Sequence, residues 1–267
     1  MSDKKKKRIG IIGYGQIGSF LYGEITQKPE LEMELSFVYE TNKKLTESLP
    51  DKHVIGSIED FPSRRPDLVV EAADPDAVRQ LGEFILTHTD LMIMSVAALG
   101  DAALEENLKK TCRQQGTRLY IPHGAVLGLD GLQDGKEMWE EISITMRKSP
   151  KNLNFRWAGG IKPEDITEET VLYDGPTRGV CPLYPKNVNS HATLALAVLG
   201  LDRTHSVLIA DPELDVSVIE IDAKGAGNEI HIVRKNPIKG VTGKLTLLST
   251  LESLKKIIGS QEGIQVF

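Results

Sequence analysis

The chain has 267 residues, of which 40% are hydrophobic and 26% are charged, so it is long enough for one large domain or two modest ones. Its net charge of −6 argues against nucleic acid as a partner, and no stretch approaches the roughly 20 apolar residues of a membrane helix, so we expect no membrane association. The two cysteines, Cys112 and Cys181, form neither a disulfide framework nor a metal-ligand pattern, which favours a reduced, cytoplasmic protein without a bound metal.

The first predicted strand, residues 8–13, is a short apolar run that leads into a glycine-rich loop. The loop reads GYGQIG and has the spacing G-x-G-x-x-G. Such a loop needs glycine for a tight turn, for the close approach of a pyrophosphate and for the contact of helix and strand. A helical pattern follows as far as Pro29, so a helix N-terminus is available to the phosphates. The predicted cofactor-binding residues of the loop are Gly13, Gly15, Gln16, Ile17 and Gly18.

The second predicted strand, residues 35–39, is followed directly by an acidic residue, Glu40. A carboxylate about 20 residues after the loop binds the adenosine ribose hydroxyls and disfavours a 2′-phosphate. Glu40 therefore favours NAD as the cofactor. Lys43 and Lys44 follow closely, so NADP stays open as an alternative.

The alternation of strands and helices continues to about residue 122. Asp74 and Pro75 are a good N-cap and first helical position between two of the strands. The pattern predicts a Rossmann-type, doubly wound parallel sheet, whose ligands lie beyond the carboxyl ends of the strands. Ala72, Ala73 and Ala125 are therefore expected to line the cofactor crevice. The remaining strands of this sheet are predicted at 67–73, 91–99 and 118–122.

The second half changes character and predicts a smaller α+β domain. Period-two alternation indicates half-buried strands at 140–150, 215–225 and 228–237, the last two forming a hairpin. A helix over 187–199 follows Asn187 and Asn189, either of which could be its N-cap. We predict a dinucleotide-binding domain over 1–125 and a substrate domain over 126–267. The C-terminal helix, about 245–258, is a candidate to pack back on the first domain.

Several sequence blocks carry a resemblance to a known family. They are IGIIGYGQIG, VVEAADPDAV, PHGAVLGLDGL, LYDGPTRGVCPLYPKNVNSHATLALA and VLIADPELDVSVIEI. Together they resemble the L-aspartate dehydrogenase family, and GPTRGVCP is most similar to the branch described as aspartate dehydrogenase domain-containing proteins. The resemblance implies a homodimer that oxidises the α-amino group of a small substrate, L-aspartate, with NAD or NADP. It also implies that Ala125, Asn187 and Asn189 contact the cofactor near the nicotinamide.

One feature of the family pattern is missing. Typical members carry Asn-x-His shortly after Asp-Pro, and the histidine is assigned as the catalytic acid/base. Here the Asn position is Ser217 and the His position is Ile219, which cannot move a proton. Two other functions therefore stay open. The same fold could act on a different amino acid, imine or hydroxy acid, or the protein could bind NAD without catalysis.

Three residues are candidates for the missing base. His123 follows a strand's carboxyl end, His191 lies in the first turn of the helix near 187–199, and Lys186 precedes that helix. Each also has a purely structural interpretation: His123 could bond to the backbone, His191 could cap the helix, and Lys186 could be solvated. Arg178 is a candidate to clamp a substrate carboxylate in bidentate fashion, with a structural salt bridge as the alternative. Ser217, at the family Asn position, is the other predicted substrate-binding residue.

Overall fold

The computed structural model describes residues 6–237 and 243–259, and the chain divides into two compact units. Of the described residues, the first unit contains 6–95, 103–122 and 247–259. The second unit contains 96–102, 123–237 and 243–246. In the part of the chain that the structure describes, no helix has the length and apolar character needed to cross a membrane.

The first unit is built on a five-stranded parallel sheet with the strand order β2-β1-β3-β4-β5. This arrangement confirms the predicted doubly wound fold. The chain crosses back over β1 to form β3, so the carboxyl ends of β1 and β3 are neighbours at a switch point, where such folds bind ligands. The strands are β1 Lys7–Ile12, β2 Met33–Tyr39, β3 Leu68–Glu71, β4 Asp90–Ile93 and β5 Leu119–Tyr120, and the main helices are α1 Gln16–Gln27, α2 Pro75–Leu86 and α3 Ala102–Gln115.

The apolar runs form strands because both faces of this sheet are covered. Ile9 and Ile11 of β1 are fully buried and share one core with Leu21 of α1. Two residues of the C-terminal helix, Leu251 and Leu254, belong to the same core. Asp74 caps α2 as expected, since its Oδ1 accepts a hydrogen bond of 3.0 Å from the N–H of Ala77.

The second unit contains a mixed five-stranded sheet with the order β10-β9-β6-β8-β7. β6 and β8 are parallel, and the other pairs are antiparallel. β9 and β10 form the predicted hairpin. The strands are β6 Glu141–Lys148, β7 Thr170–Pro176, β8 His205–Ala210, β9 Val216–Gly225 and β10 Asn228–Pro237, and the helices are α4 Leu129–Asp134, α5 Thr177–Val180, α6 Asn189–Ala197 and, shared with the first unit, α7 Lys244–Ile258.

Three details of the sequence prediction are wrong. The strand expected over 91–99 ends at Ile93, and Val96–Gly100 is a 3₁₀ turn, because a buried apolar run fits a strand or a helical turn equally well. The N-cap of α6 is Val188, and neither Asn187 nor Asn189 caps the helix with its side chain. β7 and β8 were also missed, since β8 lacks strict alternation and β7 contains glycine and proline.

Candidate active site

The three glycines of the GYGQIG loop have different surroundings. Gly13 has a φ of +90°, and a Cβ there would lie 2.7 Å from the backbone of Ala72. A Cβ on Gly18 would overlap the carbonyl oxygen of Gly13, but one on Gly15 would meet nothing within 4 Å. Two of the glycines therefore allow the backbone of this unit to pack closely, whereas Gly15 leaves open surface at the start of α1.

Glu40 faces the same loop from the end of β2. The N–H of Tyr14 donates to its Oε2 at 2.8 Å, and the N–H of Asn42 donates to its Oε1 at 2.8 Å. The ammonium of Lys43 lies over the ring of Tyr39, 5.8 Å from its centroid. The carboxylate is therefore held next to the glycine loop.

A second acidic residue, Glu71, lies buried at the end of β3 and was not singled out from the sequence. Its carboxylate accepts hydrogen bonds from the N–H groups of Ala73 at 2.8 Å and Ser95 at 3.0 Å, and from the Ser95 hydroxyl at 2.9 Å. The N–H of Met94 donates to it at 3.2 Å. Burial raises the pKa of Glu71 to about 7, against the opposing effect of these donors. Glu71 thus ties the segment containing Ala72 and Ala73 to the end of β4.

In the second unit, polar side chains are buried where α6 begins. His191 has no exposed surface, and its Nδ1 lies 3.0 Å from the Oγ of Ser206. That Oγ lies 2.7 Å from the hydroxyl of Thr177, which donates to the carbonyl of Thr204 at 3.0 Å. Because a carbonyl can only accept, the protons run in one direction: Ser206 donates to Thr177, and His191 donates from Nδ1 to Ser206. The Nε2 atom of His191 is therefore left as an acceptor, and it is buried without a protein partner among the described residues.

Burial and the nearby positive charge of Lys148 lower the pKa of His191 to about 3. The imidazole is consequently neutral at physiological pH. Lys148 itself is only 4% exposed, and burial together with the charge of Arg234 lowers the pKa of its ammonium to about 8. Arg234 donates from Nη1 to the carbonyl of Ala125 at 3.3 Å. The buried Lys148, the neutral His191 and the half-buried Arg234 are thus electrostatic neighbours in this unit.

Strand register explains how Lys148 comes to be inside. The residues of β6 alternate between outside and inside, and Ile142, Ile144, Met146 and Lys148 share the buried face. The sequence predicts the half-buried strand but does not single out Lys148 on its inner face. Lys148 pairs with Ala210 on β8, and the ladder with β9 brings it to the level of Ser217.

The two asparagines predicted to contact the cofactor hold neighbouring backbone. The Oδ1 of Asn189 accepts from the N–H of Ala97 at 3.0 Å, and the Oδ1 of Asn187 accepts from the N–H of Asn154 at 3.1 Å. The Nδ2 of Asn187 is buried without a hydrogen-bond partner in the described part of the chain, as is the hydroxyl of Ser190. These donors lie on either side of the start of α6.

The other predicted residues lie in less enclosed surroundings. Arg178 binds the carboxylate of Asp202 through Nε at 2.7 Å and Nη2 at 2.8 Å, so its planar fork is taken up by a salt bridge. The ring of His123 lies 3.3 Å from the carbonyl of Val126 through Nδ1. Lys186 is half-buried, with its ammonium 5.9 Å from the ring centroid of Trp157.

Ser217 and Ile219 are both buried on β9. Ile219 pairs with Met146 on one side and with Arg234 on the other, so the family His position lies on the same face of the sheet as Lys148. Within residues 6–237 and 243–259, no group of three or more His, Cys, Asp or Glu side chains could hold a metal ion.

Comparison with known proteins assigns both halves of the chain. Residues 13–122 match the model described as the NAD binding domain of homoserine dehydrogenase, and residues 130–257 match the model of the aspartate dehydrogenase C-terminal domain. An aspartate dehydrogenase domain-containing protein of Danio rerio is 36% identical over 95% of both chains. An L-aspartate dehydrogenase of Nitrosopumilus maritimus is 34% identical over 94% of this chain and 96% of its own. The crystal structure of aspartate dehydrogenase from Thermotoga maritima superposes with a TM-score of 0.75 at 23% identity, covering 98% of this chain and 99% of that one.

The fold and the matched models define the class: this is a nicotinamide-dependent oxidoreductase with a Rossmann-type domain followed by an α+β domain. The resemblance noted in the sequence is confirmed, and the chain belongs to the aspartate dehydrogenase family.

The surroundings of the glycines predict different effects of alanine at each position. Gly15→Ala should keep the stability of the free protein and weaken NAD binding at least about tenfold, because the added methyl occupies the open surface. Gly18→Ala should lower the unfolding free energy by about 1–3 kcal/mol, because the methyl meets the backbone of Gly13. Urea unfolding and NADH fluorescence titration measure the two effects separately.

Gly23→Ala is the matched control, since Gly23 lies within α1 and a Cβ there meets nothing within 4 Å. It should stabilise the helix by about 1 kcal/mol and leave NAD affinity unchanged. Equal losses of NAD affinity in the Gly15 and Gly23 variants would contradict the assigned role of Gly15.

The buried carboxyl of Glu71 predicts a pH-dependent stability. Its pKa in the folded protein is raised from 4.5 to about 7, so the folded state binds the proton more tightly than the unfolded state. The contribution of Glu71 is therefore fully present below pH 4.5 and is lost as the pH rises through about 7. The stability of the wild type relative to Glu71→Gln should fall between pH 5 and pH 8 in urea unfolding. A difference between the two proteins that does not change with pH would refute this assignment.

Proposed function

We propose that the protein oxidises L-aspartate with NAD as the acceptor. The product is iminoaspartate, which water hydrolyses to oxaloacetate and ammonia. The observation that carries the proposal is the match of residues 130–257 to the aspartate dehydrogenase C-terminal domain, which covers the buried Lys148 and His191 and the half-buried Arg234. The cofactor, when bound, supplies the hydride acceptor, and the protein's own residues bind and orient the substrate.

The charge of the second unit's interior suits a dicarboxylate. Lys148 and Arg234 are partly or wholly removed from water, and neither has a carboxylate partner among the described residues. Buried cations are costly unless an anion pairs with them. A carboxylate of the substrate would supply the counter-charge that Arg234 lacks. Arg234 also contacts the carbonyl of Ala125, which the family resemblance places near the nicotinamide.

The roles of individual residues are part of this proposal. NAD is preferred to NADP because the carboxylate of Glu40 would repel a 2′-phosphate. The neutral His191 offers Nε2 as a hydrogen-bond acceptor, whereas His123 and Lys186 stay candidates for proton transfer. Arg178 and Ser217 stay candidates for substrate binding, and Arg178 would have to exchange Asp202 for a substrate carboxylate. The proposed cofactor contacts are Gly13, Gly15, Gln16, Ile17, Gly18, Glu40, Ala72, Ala73, Ala125, Asn187 and Asn189.

Steady-state assays test the proposal directly. Reduction of NAD should appear with L-aspartate at alkaline pH, at roughly 1–10³ turnovers per second, and oxaloacetate with ammonia should oxidise NADH. L-Glutamate, L-alanine and L-malate are the matched substrates, and NADP is the matched cofactor. Turnover confined to another amino acid or to a hydroxy acid would reject aspartate as the substrate. NADH binding without turnover of any of these compounds would identify a catalytically inactive NAD-binding protein.

A further inference from the structure

The buried amine on the inner face of β6 has a chemical role that the family match does not assign. We propose that Lys148 is the general base that accepts the proton from the substrate ammonium before hydride transfer, and the proposal rests on the proposed oxidation of an amino acid. Lys148 would then be a catalytic residue. The family pattern has a histidine on β9 for proton transfer, but this chain has Ile219 at that position.

The geometry places this amine in an interior made of sheet residues and α6. Lys148 is the last residue of β6, and its side chain follows Ile144 and Met146 on the buried face. Its neighbours across the sheet are Ala210 on β8 and, at the same level of β9, Ser217. No salt bridge or side-chain hydrogen bond pairs the ammonium with another described residue. The amine therefore has its bonding capacity available for a ligand.

The surroundings of Lys148 disfavour a permanently charged side chain. The positive charge of Arg234 on β10 acts on it, His191 on α6 is neutral, and Ala210 and Ser217 on the adjacent strands carry no charge. Burial and the Arg234 charge lower its pKa to about 8. A base works best when its pKa lies near the working pH, so a neutral fraction of Lys148 is available in mildly alkaline solution.

His191 is less suited to take this proton, although it is equally buried. Its Nε2 lone pair is available, but the low pKa of its ring means that it would hold a proton from an ammonium only weakly. Its hydrogen bonds through Ser206 to Thr177 fix the ring with Nε2 as an acceptor. This arrangement fits a positioning residue that orients the lysine or the substrate nitrogen.

The step can be written with its atoms and electrons balanced. The substrate R–CH(NH₃⁺)–COO⁻ transfers one proton to the neutral amine of Lys148, giving R–CH(NH₂)–COO⁻ and a lysine ammonium. The Cα–H bond would then break, the hydrogen leaving as a hydride that carries both bonding electrons to the nicotinamide cofactor when this is bound, and the nitrogen lone pair would form the C=N bond of the iminium. The proton held by Lys148 leaves to solvent. In the reverse direction the same ammonium returns it to the product amine.

Two substitutions test the role of the amine. Lys148→Arg keeps the positive charge but cannot be neutral near pH 8, and Lys148→Met keeps the length without the charge. Both should lower kcat with aspartate by about 10²–10⁴-fold and remove the alkaline rise in kcat/KM. Lys151→Met, at an exposed lysine three positions along the chain, is the control and should behave as the wild type. NADH titration checks that each variant keeps the cofactor-binding fold.

A second measurement does not depend on turnover. In protein labelled with ¹³C at lysine Cε, one resonance should titrate near pH 8 and should be absent from Lys148→Arg. In Lys148→Ala, added ethylamine should restore part of the lost activity, because it supplies a base where the side chain was removed.

The outcomes separate the two proposals. If the wild type oxidises aspartate and Lys148→Arg does so with an unchanged pH profile, the role of Lys148 is overturned while the proposed function stands. A lysine spectrum in which no resonance titrates below pH 9 also overturns it. If the wild type oxidises no amino acid, both proposals fail together.

Discussion

The free energy cost of burying positive charge organises the second unit. An ammonium or guanidinium inside a protein loses its hydration, and only an anion, hydrogen bonds or loss of the proton can offset the cost. Arg234 donates one hydrogen bond to the carbonyl of Ala125. Lys148 has neither a side-chain hydrogen bond nor a counter-ion among the described residues. Burial and the charge of Arg234 therefore lower the pKa of Lys148 to about 8, so the ammonium loses its proton more easily. An apolar residue at position 148 would avoid this cost and would fit the rest of the strand equally well.

The first unit depends on a different constraint, the close approach of backbone segments. The loop after β1 can lie against Ala72 only because Gly13 has no Cβ. The carboxylate of Glu71 fixes the same segment, because it accepts hydrogen bonds from the N–H groups of Ala73 and Ser95. The loop after β1 and the segment after β3 are thus held together by backbone contacts and by the hydrogen bonds of Glu71.

The periodic patterns of the sequence were sufficient to predict most of the fold. Strand and helix alternation predicted the parallel sheet, and period two predicted β6 and the hairpin of β9 and β10, because burial on one or both faces leaves a direct trace in residue order. The 3₁₀ turn at Val96–Gly100 could not be distinguished from a strand, since every residue before its final glycine is apolar and buried.

The interior chemistry was harder to foresee than the fold. The hydrogen bonds from His191 through Ser206 to Thr177 join three separate elements, and no local pattern specifies such long-range partners. The identity of the family followed from short blocks of residues, but the tautomer of His191 and the pKa of Lys148 follow from packing alone. The alternation of β6 is compatible with an inward Lys148, but the sequence prediction did not include this residue among the candidates.

Ile219 can be understood through the same cost of burial. It pairs with Met146 on one side and with Arg234 on the other, in the row of the sheet next to Lys148. An ionisable histidine at this position would add polarity and, when protonated, a third positive charge beside two existing cations. The isoleucine adds neither polarity nor charge to this part of the sheet. The lowered pKa of Lys148 therefore follows from its burial and from the single neighbouring charge of Arg234.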